Sequence, residues 1–106
     1  MFYEIRRYWA KPGRRDEWVA YMESVVLPYQ IEQGMSVTGS FIDEQDDDAY
    51  LWIRRFDDEQ DRERRYAAVY ENPRWTDEIA PRVHELLDTD RTVVTRAVPT
   101  PVSALR

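Results

Sequence analysis

Four segments of the chain have the composition of β-strands, because they are rich in β-branched and aromatic residues. They span residues 2–9, 35–43, 49–56 and 91–98. Lys11-Pro12-Gly13 follows the first segment and is predicted to form a turn, because proline presets its φ angle and glycine accepts a positive φ. Acidic residues 44–48 separate the second segment from the third, so these two are predicted to form a hairpin.

Between the first two strands, apolar residues recur with the spacing of a helix from about residue 14 to residue 33. The apolar stripe consists of Trp18, Tyr21, Met22, Val25, Val26 and Tyr29. Gly34 is expected to end this helix. Pro28 removes the hydrogen bond that its N–H would have donated to the carbonyl of Ser24. We therefore expect a kink near Leu27.

The residues between the third and fourth strands predict two further helices. Asp57, with Gln60 three residues later, has the spacing of a capping box, and the second helix is expected to run to about Glu71. Asn72-Pro73 places a cap before the residue best tolerated at the first helical position. The stripe of this third helix is Trp75, Ile79, Val83, Leu86 and Leu87. Pro81 is expected to kink it.

The element order β-α-β-β-α-α-β is that of the split βαβ or ferredoxin-like arrangement, with its second helix broken into two. We predict an α+β sandwich in which helices cover a four-stranded antiparallel sheet. Residues 1–98 form this domain. Residues 99–106 include two prolines and are expected to form an extended tail.

Both faces of the predicted strands carry large side chains. In the first strand, Tyr3, Ile5 and Trp9 alternate with Phe2 and Tyr8. The third strand repeats this pattern with Leu51 and Ile53 on one face and Tyr50, Trp52 and Phe56 on the other. Helices cover only one face, so we expect a second copy of the sheet to cover the other in a homodimer. The alternative is an exposed face with scattered aromatic residues.

Composition excludes several classes of function. The net charge of −6 disfavours nucleic acid and anionic membranes as partners. The chain has no cysteine, which excludes disulfides and thiolate chemistry, and its three glycines cannot form a dinucleotide fingerprint or a phosphate loop. The charged N-terminal segment and the absence of a long apolar run predict a cytoplasmic protein.

Several motifs, in order, resemble those of the NIPSNAP family. They are Phe2-Tyr3-Glu4-Ile5-Arg6-Arg7-Tyr8, Lys11-Pro12-Gly13, Pro28, Gly34, Gly39, Leu51-Trp52, Phe56-Asp57-Asp58, Asp61-Arg62-Glu63-Arg64-Arg65 and Asn72-Pro73-Arg74-Trp75. The resemblance covers about residues 2–98. It implies a dimeric α/β barrel, in which two ferredoxin-like sheets pack face to face, and it implies no defined biochemical role. Similar barrels include cofactor-free monooxygenases, haem-degrading enzymes and isomerases, so the fold implies a pocket without naming its chemistry.

His84 is the only histidine and therefore the natural candidate for an acid, a base or a haem ligand. It lies at the border of the apolar stripe of the third helix, which fits a residue that lines a pocket. The same position fits a half-buried structural histidine. One imidazole cannot form a zinc site, and we predict neither a metal nor a cofactor.

Arginines in the strand interiors are the other candidates for chemistry. Arg6 and Arg54 lie in strands that the topology makes neighbours, as do Arg7 and Arg55. Such arginines could hold a carboxylate or an enolate through bidentate hydrogen bonds in a cavity. Alternatively, one of them pairs with Glu4 across the strands while others point to solvent or across a dimer.

Four aromatic residues, Tyr8, Tyr50, Trp52 and Trp75, are candidates for the lining of a ligand pocket. Packing in the core and the interface is their alternative role. The acidic residues 43–48 lack the glycine and the terminal glutamate of a calcium loop and are interpreted as a solvated hairpin tip. The charged run 57–65 is interpreted as an exposed helix start with ion pairs such as Asp61 with Arg65.

These features favour a small dimeric protein that binds a small organic molecule between sheet and helices. The alternatives are a non-catalytic dimeric interaction module and a monooxygenase-like or haem-binding enzyme, so catalysis is left open. A cavity that contains both His84 and a strand arginine would favour the first function.

Overall fold

The computed structural model describes all residues 1–106 and contains one four-stranded antiparallel sheet. Its strands are β1 (Phe2–Trp9), β2 (Ser36–Ile42), β3 (Ala49–Phe56) and β4 (Val93–Ala97), in the spatial order β2-β3-β1-β4. The central strands are β1 and β3, and each of them is followed along the chain by a helical region. A split βαβ fold has this arrangement. The predicted ferredoxin-like α+β class is therefore confirmed.

Each helical region contains a π-helical turn. The first consists of α1 (Arg15–Tyr21), a π turn (Met22–Val26) and α2 (Leu27–Glu32). After β3 come α3 (Glu59–Tyr70), a second π turn (Arg74–Ile79) and α4 (Ala80–Leu86). A 3₁₀ turn (Thr89–Arg91) precedes β4, which therefore starts two residues later than predicted. None of the helices has the length and apolar character needed to cross a membrane.

The two helical prolines each follow a π turn. The N–H of Leu27 donates to the carbonyl of Met22, and that of Ala80 donates to Trp75, in both cases five residues back. The wider π turn thus provides a hydrogen-bond acceptor for the N–H of the residue before each proline. Pro28 and Pro81 themselves have no N–H to donate. The expected disturbance is thus present at both prolines as a π turn within a continuing helix.

The capping box of α3 lies one residue later than predicted. Asp58 is the N-cap, and its carboxylate accepts the N–H of Asp61 at 2.7 Å. The carboxylate of Asp61 in turn accepts the N–H of Asp57 at 2.9 Å. The prediction of Asp57 was wrong because the reciprocal residue is an aspartate, whereas the usual pattern has glutamate or glutamine at that position.

The helices cover one face of the sheet, where alternate strand residues form the core. On this face Phe2, Glu4, Arg6 and Tyr8 of β1 stand opposite Phe56, Arg54, Trp52 and Tyr50 of β3. Trp18, Met22 and Val26 from the first helical region pack against them and are completely buried. This helix-covered face therefore combines aromatic packing with charged residues.

No helix covers the opposite face of the sheet. The uncovered face carries Ile5 of β1, Leu51 and Ile53 of β3 and Phe41 of β2, of which Phe41 remains 49% exposed. The two-faced strands predicted from sequence are therefore present. Tyr8 and Trp52 belong to the helix-covered face, and substitutions there would act on the core.

Candidate functional site

A cavity of about 300 Å³ lies between the helix-covered face of the sheet and the helices. The sheet contributes Arg6, Tyr8 and Trp52 to its lining. Residues of every helical region complete the walls, among them Trp18, Met22, Tyr66, Trp75 and His84. The cavity is mainly apolar and aromatic with a few polar groups, which is the usual character of a small-molecule site.

The cavity is open at one side and closed at the other. His84 and Thr89 line it and are exposed, so they mark its mouth. Trp75 is half-buried, with its ring edge-on to Tyr70 at 4.9 Å between centroids. Tyr8 and Trp52, in contrast, are almost fully buried and belong to the inner wall. His84 is therefore accessible to a ligand entering from solvent.

Beneath the inner wall lies a buried ion pair between Glu4 and Arg54. These residues are directly opposite each other in β1 and β3, and Arg54 Nη2 donates to Glu4 Oε1 at 2.8 Å. Arg54 Nη1 donates to Gln30 Oε1 at 3.0 Å and to the hydroxyl of Tyr70 at 2.7 Å. The guanidinium of Arg54 is completely buried and does not line the cavity. Its ion pair with Glu4 is the cross-strand pair that the sequence offers as the alternative to ligand binding.

Helix α3 supplies two further partners to Glu4. Arg62 Nε donates to Glu4 Oε2 at 2.7 Å, and the hydroxyl of Tyr66 donates to Glu4 Oε1 at 2.6 Å. Burial alone would raise the pKa of Glu4, but these hydrogen bonds and the charge of Arg54 outweigh it and hold the pKa below its usual value. Glu4 is therefore a carboxylate whose two oxygens are both occupied.

Arg6 is the arginine that faces the cavity. Its Nε donates to the hydroxyl of Tyr8 at 2.8 Å, and its Nη1 is 3.5 Å from the hydroxyl of Tyr66. The nearest carboxylate oxygen, Glu4 Oε1, is 3.9 Å away and already accepts from Arg54 and Tyr66. Burial raises the pKa of Tyr8, and the neighbouring Arg6 cation offsets this only in part. Tyr8 thus keeps its proton at neutral pH.

Two indole N–H groups at the cavity have no hydrogen-bond partner. They belong to Trp18 and Trp52, both of which are 99% buried and line the cavity. A buried donor without a partner is costly, and native structures contain few of them. The side chains of these two tryptophans line the cavity beside Arg6 and Tyr8.

The fold agrees with the comparisons. A family model described as NIPSNAP matches residues 3–104. The chain belongs to the NIPSNAP family. A NIPSNAP family protein with unknown function from Agrobacterium tumefaciens is 26% identical, with a TM-score of 0.89, and the match covers 100% of this chain and 94% of that one. No curated protein matches this chain in sequence.

Two more distant structures show the same fold as this NIPSNAP domain. One is a NIPSNAP domain protein from Burkholderia xenovorans, 17% identical, with a TM-score of 0.86 and a match covering 97% of this chain and 98% of that one. The other is an antibiotic biosynthesis monooxygenase, also 17% identical, with a TM-score of 0.70 and coverage of 95% and 100%. Ferredoxin-like topology is thus shared across these proteins.

The structure brings five of the seven predicted site residues of the NIPSNAP domain to one cavity. These are His84, Arg6, Tyr8, Trp52 and Trp75. Arg54 lies beneath the cavity, and Tyr50 packs at 1% exposure with its hydroxyl hydrogen-bonded to Ser40 at 2.5 Å. Both of these candidates occupy the core in place of the cavity wall.

Sequence reasoning missed the polar face of α3. Arg62, Tyr66 and Tyr70 are four residues apart, which places them on one side of a helix, and that side packs over the Glu4–Arg54 pair. The signal was the i, i+4, i+8 spacing of two tyrosines and an arginine. The interpretation of residues 57–65 as an exposed helix start does not single out this face, although the expected Asp61–Arg65 ion pair is present at 2.9 Å.

Proposed function

We propose that this NIPSNAP domain binds a small organic molecule in the cavity between its sheet and its helices. The observation that supports the proposal is that the cavity contains both His84 and the strand arginine Arg6. A cation at the inner wall and an imidazole at the mouth provide polar groups at two places, while aromatic walls accept an apolar body. His84 is the only histidine of the chain.

The proposed unit of function is a homodimer formed through the uncovered face. Ile5, Leu51 and Ile53 lie side by side on adjacent strands of that face, and Phe41 extends the patch to β2. A second copy of the chain presents the same patch, and a two-fold axis lets each patch cover the other. This would produce the paired sheets of a dimeric α/β barrel, with one cavity in each protomer.

An interaction module without a ligand is the alternative function, supported by the same uncovered face. A monooxygenase-like reaction is not proposed, since a structure at 17% identity supports the fold alone. For haem binding, the sole support is the position of His84 on the cavity. A haem titration tests it, because ligation would produce a Soret band that His84→Ala abolishes.

Fragment screening tests the binding proposal. A library of small aromatic and aliphatic compounds would be screened by ligand-observed NMR against the unmodified protein, His84→Ala and Lys11→Ala. Lys11 is exposed, outside the cavity, and serves as the control. We expect fragments that bind the unmodified protein and Lys11→Ala but bind His84→Ala more weakly. The proposal is overturned if no fragment binds, or if all bound fragments are indifferent to cavity substitutions.

A further inference from the structure

The charges behind the inner wall of the cavity are unbalanced. Arg6, Arg54 and Arg62 all surround the single carboxylate of Glu4. Arg54 is paired with Glu4, and Arg62 also approaches Glu59 at 3.4 Å on the outer side of α3. Arg6 has no carboxylate partner within hydrogen-bond distance, although its side chain is only 19% exposed. One cation in the cavity wall therefore lacks a hydrogen-bonded counter-ion of its own and shares Glu4, at 3.9 Å, with two other arginines.

The other buried carboxylate cannot supply that counter-ion. Asp61 accepts from Arg64, Arg65 and the N–H of Asp57 at the start of α3. Its oxygens are therefore committed to the helix cap and to arginines of its own helix. A cation that is only partly compensated in a region of low dielectric is costly, and an incoming anion would reduce that cost.

Arg6 also keeps a free donor. Its Nε donates to Tyr8 and its Nη1 faces Tyr66, whereas its Nη2 makes no hydrogen bond within the chain. The Tyr8 hydroxyl accepts from Arg6, and no acceptor within the chain takes its own proton. The Nη2 N–H of Arg6 and the O–H of Tyr8, whose oxygen accepts the Nε N–H of Arg6 at 2.8 Å, are thus available along one strand face. This is the donor pattern that binds the two oxygens of a carboxylate or a single delocalised oxyanion.

The walls around Arg6 and Tyr8 determine which chemical groups the remainder of the ligand can carry. Trp52 stands opposite Arg6 in the strand register, and its side chain contributes an aromatic surface to the cavity wall. Met22 and Val26 supply aliphatic surface, and Trp75 supplies a ring face towards the mouth. A planar apolar body is therefore compatible with these walls, whereas a second charge would find no partner among them.

We propose that the cavity binds organic monoanions, an aromatic carboxylate being the representative class, with the anionic oxygens held by Arg6 and Tyr8. This inference rests on the proposed small-molecule function and specifies its ligand class. The ring of the ligand lies among the aromatic walls, and its carboxylate replaces the counter-ion that Arg6 lacks. Arg54 takes no direct part, because all its contacts are within the protein core.

The test compares acids with neutral molecules of the same shape. Benzoate and 2-naphthoate, with benzamide and 2-naphthamide as their neutral partners, would be titrated by NMR at pH 7 and at constant ionic strength. We expect each carboxylate to bind about tenfold or more tightly than its amide, since a hydrogen bond to a charged group contributes this much. Equal binding of acid and amide would overturn the anion preference while leaving small-molecule binding intact.

Matched variants locate the preference. Arg6→Met should remove the advantage of the acid and leave amide binding within about twofold, whereas Arg7→Met should change neither. Arg7 is its neighbour in β1, faces the opposite side of the sheet and pairs with Asp43 at 3.0 Å. Tyr8→Phe keeps the ring and should reduce the preference in part. An acid preference that survives Arg6→Met in a folded variant overturns the proposal, and binding of none of the four probes overturns the cavity function as well.

Discussion

The two faces of the sheet treat their arginines in opposite ways. On the helix-covered face, Arg54 is completely buried and bonded to Glu4, Gln30 and two tyrosines. On the uncovered face, Arg55 is the next residue of the same strand, and it pairs with Asp57 at 2.6 Å with 31% of its side chain exposed. The helix-covered face thus has buried charged residues at its centre. The face without helices presents isoleucine, leucine and phenylalanine.

The contrast between the faces matches the two functions that we propose for the sheet, namely ligand binding and dimer assembly. Buried charges need hydrogen bonds in fixed directions, so they hold the cavity wall in one arrangement. Apolar side chains need only removal from water, which a second copy of the chain would supply in the proposed dimer. Under the proposed function, alternation along β1 and β3 therefore assigns ligand binding to one set of residues and assembly to the other.

The largest expected effect comes from breaking the buried pair with Arg54→Met. The substitution keeps most of the side-chain volume but removes the buried cation and the hydrogen bonds that it donates to Glu4, Gln30 and Tyr70. Removing one partner of a buried ion pair costs about 3–5 kcal/mol. Urea denaturation should show this loss in the free energy of unfolding.

Arg55→Met is the matched control on the uncovered face. Its ion pair is partly exposed, so the expected loss is about 0–1 kcal/mol. Similar losses for the two variants would contradict the contrast between the faces.

The second prediction concerns Ile53→Lys on the uncovered face. A lysine there should abolish dimerisation by placing a charge from each protomer in the proposed apolar interface, while the helix-covered core of each protomer remains intact. Light scattering after size exclusion should then give a monomer mass, with an unchanged circular dichroism spectrum. Trp52→Lys, one residue away but in the core, should unfold the protein instead. A monomeric unmodified protein at micromolar concentration would refute the sheet-to-sheet pairing.

Much of this contrast follows from sequence, because period-two alternation assigns each strand residue to a face. The bounds of β1 and β3 match the predicted segments, and Glu4 was expected to pair with an arginine of a neighbouring strand. Which arginine pairs depends on strand register, which places Arg54 opposite Glu4. Local sequence does not carry that register.

The site was harder to predict than the fold. Arg6 and Arg54 both lie on the helix-covered face of the sheet and have similar neighbours along their strands. Helix α3 nevertheless closes over Arg54 and leaves Arg6 at the cavity. That difference arises from the position of Tyr66 and Tyr70, more than ten residues away along the chain. Tertiary packing therefore decides which arginine is free for a ligand.

A smaller effect is expected from pH. The pKa of Glu4 is lower in the folded protein than its ordinary value of 4.5, so its ionised form contributes stability above that pH. This contribution should be lost as pH falls below about 4.5 and through the lowered folded pKa. Denaturation curves measured between pH 3 and pH 7 should show the decline.

Glu4→Gln identifies the source of that decline. The glutamine cannot titrate, so its stability, although lower at pH 7, should depend less steeply on pH in the acid range. Identical slopes for the two proteins would assign the acid sensitivity to other carboxylates.

The smallest effect concerns Gly39 on the uncovered face of edge strand β2. A Cβ at this position would lie 2.6 Å from Cε2 of Phe41, so the glycine allows the Phe41 ring to lie over its backbone. The ring is at the end of a rotatable side chain and is 49% exposed, so Gly39→Ala should move it at a cost of about 1 kcal/mol or less. Because Phe41 neighbours Leu51 in the apolar patch, the displaced ring should weaken the dimer more than it destabilises the protomer. Sedimentation equilibrium and urea denaturation of the same variant measure the two effects, and a variant that loses stability with an unchanged dimer constant would exclude Phe41 from the interface.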